Sequence, residues 1–192
     1  MFLLRAPSVD EVEKFLTPQQ QSAFSYAAIG ASATTVPRGY NVDRNRILLG
    51  RGENTWRPAM EAIRSWQMFN LPWLHLYWPS APIQVGTNLA LLVQHFGFYS
   101  LNAARIVCVV DEDGPVTRYG FAYGTLAEHA ESGEESFTVE WNRSEDEVWY
   151  DILAFSRPQK MLARVGYPLS RMLQKRFAEG SKAAMLKAAS AE

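Results

Sequence analysis

The segment YGFAYGTLAEHAESGEESFTVEWNRSEDEVWYDILAFSRP, Tyr119 to Pro158, decides how the rest of the chain is read. It opens with Tyr119, Phe121 and Tyr123 alternating with Gly120, Ala122 and Gly124, which describes a strand with one bulky face and a nearly bare reverse. After an acidic loop, Glu135, Phe137, Val139 and Trp141 share one side of a second strand. A polar turn leads into a third, Val148 to Phe155, whose two faces are both apolar and therefore both covered. Connections this short force antiparallel pairing, because a parallel return needs a long crossover.

Upstream, Ala103 to Val110 is another strand. Ile83 to Phe96 alternates with Val85, Leu89, Leu91, Val93 and His95 on one face, residues 74–78 form a short strand, and Tyr40 to Leu49 is the first. Between the first two strands, Trp56, Ala59, Met60, Ile63, Trp66 and Phe69 recur three or four apart, the mark of an amphipathic helix with Pro58 in its first turn. Downstream, Pro158 opens a long helix whose apolar stripe is Met161, Leu162, Val165, Leu169, Met172, Leu173 and Phe177. Gly166 and Pro168 interrupt or bend it, and the alanine-rich tail after Gly180 frays. Ahead of all this, Ser8 and Glu11 form a capping box, Thr17–Pro18 starts a second short helix, and residues 30–39 are a breaker-rich connector. Residues 1–38 thus form a helical extension and residues 39–192 the main domain.

The order is strand, helix, six strands, long helix. That is an α+β fold in which a curved seven-stranded antiparallel sheet grips the C-terminal helix, and it is similar in element order to the START-like helix-grip folds. The residues also resemble a family. TyrGlyThrLeu at 123–126, His129, GlyGluGlu at 133–135 with Phe137, AlaPheSerArgPro at 154–158 and LeuAlaArgValGly at 162–166 look like signature segments of the uncharacterised family DUF1990 (UPF0548), over roughly residues 37–180. Ala130 stands where that pattern has proline. The resemblance implies kinship and no particular chemistry.

Composition narrows the function classes. Nineteen basic against twenty acidic side chains leave a net charge of -1, so no electrostatic drive toward nucleic acid is expected. No run is long enough for a membrane span, and the one cysteine, Cys108, reads as an inert buried thiol in a reducing compartment, which together suggest the cytoplasm. Three histidines without ligand spacing form no metal motif, GlyArgGlyGluAsn at 50–54 lacks the lysine of a phosphate loop, and no cofactor is expected. Six Trp, eight Tyr and ten Phe exceed a minimal core and suggest a lined cavity.

The reading that follows is a cavity between sheet and last helix, lined by Tyr119, Phe121, Tyr123, Phe137, Trp141, Tyr150 and Leu169, holding a small hydrophobic ligand. Glu135, Arg157 or His95 would orient it, with Glu135 and Arg157 placed to pair. Two alternatives stand beside it. One is a cyclase-like or hydrolase-like enzyme using His129 or Glu135 as acid or base in the same cavity; the other is protein interaction through the extension or the last helix.

Overall fold

A computed structural model describes residues 1–158 and 167–190, with the backbone alone for Pro158 and residues 167–170. Its centre is a curled antiparallel sheet of β2 (Asn41–Arg51), β3 (Leu74–Tyr77), β4 (Asn88–Gln94), β5 (Tyr99–Glu112), β6 (Val116–Thr125), β7 (Glu131–Asn142) and β8 (Glu147–Pro158). Those strands lie in the order β2-β8-β7-β6-β5-β4-β3, so the meander from β3 to β8 is closed by β2, which pairs with β8 from the far end of the sequence. A further strand β1 (Phe2–Leu3), too short to announce itself in the sequence, pairs with Ser100 and Tyr99 of β5 beside the end of β6.

Two helices fill the concave face. Helix α2 (Glu53–Arg64) buries Trp56, Ala59, Ala62 and Ile63, and the single turn after it adds Trp66, Met68 and Phe69. These meet Tyr119, Phe121, Phe137, Val139, Val148, Tyr150 and Ile152 of the sheet in one cluster. Trp66 packs edge-on to Phe121 at 4.9 Å, and Phe69 edge-on to Phe137 at 5.3 Å, the offset geometry that ring quadrupoles favour. Pro58 lies in the second turn of α2, one turn later than expected, because the helix starts at Glu53.

The C-terminal helix α3 (Tyr167–Ala189) lies against α2 and the sheet. It does not start at Pro158, which instead ends β8 opposite Glu131: β7 and β8 stay paired to that point, so the backbone there is extended. Met161, Leu162, Val165 and Gly166 fall outside the described residues, as does the Leu169 side chain. Of the expected stripe, Leu173 and Phe177 pack inward, whereas Met172 is 48% exposed. The tail does not fray in the way its composition suggested. Ala178, Ser181, Met185 and Ala189 are buried, and Tyr150 and Ser181 share a 2.8 Å hydrogen bond between their hydroxyls. Small residues are what allow this close approach: a side chain at Gly180 would run into Leu71.

The N-terminal residues cover the convex face. The capping box at Ser8 and Glu11 is present at the start of α1 (Val9–Leu16), whose Val12 and Leu16 pack with Ala90, Leu92, Leu101, Ala103 and Leu126. Further on, Tyr26 and Tyr40 set their rings edge-on against Phe155, which explains why β8 is apolar on both sides. Thr17–Pro18 begins a 3₁₀ turn and no α-helix follows it. β4 begins five residues later than expected, after Gly86 at φ +93, and leaves Val85 67% exposed. Cys108 is half-buried on this outer side, where burial pushes its thiol up.

Removing the Ser181 hydroxyl would leave the buried Tyr150 hydroxyl without its partner, at a cost of about 1–2 kcal/mol. Urea unfolding of Ser181→Ala should show a loss of that size, and Tyr150→Phe/Ser181→Ala should lose less than the sum of the single variants. Additive losses would mean that this bond does not fix the helix to the sheet.

Candidate functional site

Helix α2 fills one half of the concave face, and the other half keeps a cavity of about 210 Å³ between sheet and α3. One wall is apolar: Phe69, Trp73, Leu74, Leu91, Leu173 and Phe177. The other is polar, with Asp43 and Asn45 from β2, Ser100 and Asn102 from β5, Tyr123 and Thr125 from β6, His129 from the β6–β7 loop and Glu135 from β7. Strand alternation produces this wall, since Tyr123 and Glu135 are register partners and point the same way.

The Tyr123 hydroxyl donates to Glu135 Oε2 at 2.6 Å. Burial pushes the Glu135 carboxyl up to about 7; the tyrosine hydrogen bond opposes that shift and the negative charge of Asp43 adds to it. The same enclosure raises Tyr123 far above its ordinary range, first through burial and then through Glu135, so it stays a neutral donor. His129 Nδ1 accepts the Glu131 backbone N–H at 3.0 Å, and burial holds the imidazole down at about 4, so it is neutral at pH 7. His95 Nε2 lies 2.8 Å from Ser100 Oγ, its ring stacks on Phe98, and its Nδ1 is buried with no partner among the described residues. Burial lowers His95 as well.

A latch borders the cavity where α3 meets β2 and β8. Arg171 holds Asp43 with both guanidinium nitrogens, at 2.5 and 2.6 Å, and also donates to Gln174 Oε1 at 2.6 Å. Gln174 in turn donates to Ser156 Oγ at 3.2 Å. Behind the polar wall, on the outer face, the buried Glu134 carboxylate accepts the Tyr26 hydroxyl at 2.6 Å, the Ser32 N–H at 3.0 Å and the Gly30 N–H. Tyr26 reaches it by lying over Gly124, where any Cβ would strike its hydroxyl. Glu134 is therefore an anchor for the N-terminal segment and not a loop residue.

Of the residues expected at the site, the structure brings Tyr123, Glu135, His129 and His95 to one cavity. Tyr119, Phe121, Phe137 and Tyr150 face the same side but are covered by α2, α3 and the turn after α2. Trp141 lies tilted against Trp56, with ring centroids 6.3 Å apart, and donates to Asp146 at the far end of the sheet. Arg157 is not the partner of Glu135. It pairs in register with Ser132 and lies over the Tyr40 ring at 5.0 Å on the outer face, because it sits an odd number of residues from the inward-facing Ala154. Sequence reasoning missed Asp43, Asn45, Asn102, Phe69, Trp73 and Phe177. Alternation in β2 marks the first two as inward, whereas Asn102 fell outside the expected start of β5.

The chain matches the model of a family described as a domain of unknown function, DUF1990, over residues 25–184. It is 36% identical to a UPF0548 protein of Deinococcus radiodurans over 98% of this chain and 99% of that one. A UPF0548 protein of Dictyostelium discoideum is 33% identical over 98% of this chain and 95% of its own length. Among solved structures, the hypothetical protein jhp0584 of Helicobacter pylori superposes with a TM-score of 0.50 at 15% identity, covering 88% of this chain and 97% of that one. Human STARD10 gives a TM-score of 0.48 at 10% identity, over 95% and 81%.

Glu135 also makes a prediction about stability. Its folded-state pKa, about 7, lies above the ordinary 4.5, so the folded chain keeps a proton that the unfolded chain releases, and stability falls as pH rises from 4.5 through 7. Glu135→Gln removes that loss. Discounted for partial exposure, the variant should be about 2 kcal/mol more stable than the parent at pH 8 and nearly equal to it at pH 4. Denaturant unfolding at the two pH values measures this, and equal differences at both would mean that the carboxyl is not held up by burial.

Proposed function

The chain belongs to the DUF1990 (UPF0548) family, whose description assigns no chemistry, so we propose a function from the cavity itself: it binds a small amphipathic molecule between the curled sheet and α3. The observation that carries this reading is a partly open cavity of about 210 Å³ with one aromatic and aliphatic wall and one polar wall. At roughly 10–15 Å³ of such volume per water-sized group, it has room for a molecule on the order of fourteen to twenty non-hydrogen atoms. An apolar side that drives burial and a few convergent polar groups that fix orientation are the usual features of a small-molecule site.

A second reading is favoured by one specific feature. A carboxyl titrating at about 7 and a neutral imidazole border the same cavity, and a carboxyl near neutrality serves as acid or base at physiological pH. On that reading Glu135 is the proton-transfer group and Tyr123 its orienting partner. A screen of hydrolase and cyclase substrates tests it: any turnover found should fall at least about 10²-fold in Glu135→Gln.

Native mass spectrometry of the full chain, purified without detergent, together with an organic extract analysed in parallel, tests the binding reading. The expected result is a retained small molecule that is lost in Ala154→Phe, a substitution that fills the cavity from β8. An empty chain that no small amphiphile stabilises against heat would overturn it.

A further inference from the structure

The charges around the cavity do not balance. Its ionisable groups come from every element packed on it: Asp43 on β2, Glu135 on β7, Glu131 at the start of β7, His129 in the loop before it, His95 after β4, Tyr123 on β6 and Arg171 on α3. Arg171 is engaged bidentately by Asp43 and also donates to Gln174. Both histidines are neutral at pH 7, lowered by burial. Among the described residues Glu135 is hydrogen-bonded by the neutral Tyr123 hydroxyl alone, through Oε2. Its other oxygen has no protein donor among the described residues and is not sealed from the cavity. Arg176, also on α3, lies with its guanidinium 4.8 Å over the Trp73 ring, on the apolar wall and away from Glu135 in β7. Among the described residues an anionic ligand would thus meet the carboxylates of the polar wall, whereas a cation would complete the site at Glu135.

Resting on the binding reading above, we propose that the cavity selects an organic cation, an aryl- or alkyl-ammonium whose nitrogen meets Glu135 while its apolar part lies against Phe69, Trp73 and Phe177. Geometry supports each half. The ammonium donates a charge-assisted hydrogen bond to the open carboxylate oxygen, while Tyr123 holds the other oxygen in place. Phe69 and Phe177 stack with centroids 6.0 Å apart, forming an aromatic wall against which the apolar part of the ligand is buried. Binding of the cation also removes the cost of an ionised carboxyl in an enclosed space, because the ligand becomes the missing counter-charge.

The test titrates the full chain calorimetrically with three matched probes, phenylbutylamine, phenylbutanol and phenylbutyrate, at pH 8 and pH 6. The amine should bind at least about tenfold tighter than the alcohol, and the acid most weakly. Amine affinity should fall about tenfold from pH 8 to pH 6 as Glu135 takes up its proton, with the alcohol changing little. In Glu135→Gln the ratio of amine to alcohol affinity should drop to about one and the pH dependence of the amine should vanish. An alcohol that binds as tightly as the amine, an acid that binds tightest, or an amine preference that survives Glu135→Gln would overturn the cation inference and leave the binding reading standing. Failure of all three probes, with an empty chain by native mass spectrometry, would overturn both.

Discussion

The separation between α3 and the sheet controls everything else in this molecule. It is set where Tyr150 and Ser181 share a hydrogen bond in a fully buried layer, flanked by Ala178 and Met185. Small side chains bring the C-terminal half of the helix down onto the strands. The N-terminal half carries the larger Leu173 and Phe177 and, through Arg171, holds the rim of the sheet at Asp43. A helix close at one end and propped on bulky residues at the other leaves a wedge, and α2 occupies only part of the concave face. The cavity is what remains.

That wedge needs a rigid back. The convex side of β6 is bare, with Gly120, Ala122 and Gly124 turned outward, and an uncovered sheet would expose Phe155 and the buried carboxylate of Glu134. The N-terminal segment covers them through two anchors. Glu134 collects the Tyr26 hydroxyl and two backbone N–H groups. Arg105 donates to the carbonyls of Gln19, Gln20 and Ser22 and to Asn88 Oδ1. Buried charges are tolerable only when fully hydrogen-bonded, so each anchor fixes several residues of an otherwise irregular stretch. Adjacent positions 134 and 135 thus point to opposite faces and do opposite work: one carboxylate is saturated by the protein, the other is left partly open to the cavity.

Period-two alternation makes the sheet and its inward face legible in the sequence, and period 3.6 does the same for α2. What sequence pattern could not give was which inward rings would be covered. Phe121 and Phe137 look as suited to a ligand as Tyr123, and only the placement of Trp66 and Phe69 after α2 decides that they are core. The pairing of Glu135 failed for a local reason, since Arg157 is one residue out of phase with the inward face of β8. The buried alanine tail of α3 was misread because alanine reports helix propensity without reporting burial, and its role appears only when a close neighbour such as Tyr150 is known. Asp43 and Arg171 are far apart in sequence, and no local pattern links them.

A carboxyl held near neutrality in an enclosed space is costly, and apolar substitution at such positions is often neutral or stabilising. Glu134 has a structural role, namely to accept from three donors and hold a segment. Glu135 has one donor among the described residues, and Tyr123 would be anchored by its own packing against Phe69 and Phe137 without it. The two neighbouring carboxylates therefore separate structural from functional expense within one dipeptide. Where a buried ionisable group supports no part of the fold, its cost is explained by what enters the space in front of it, and here that space is apolar on one side, acidic on the other, and bounded by a helix whose Arg171 is engaged by Asp43 and whose Arg176 lies over the Trp73 ring.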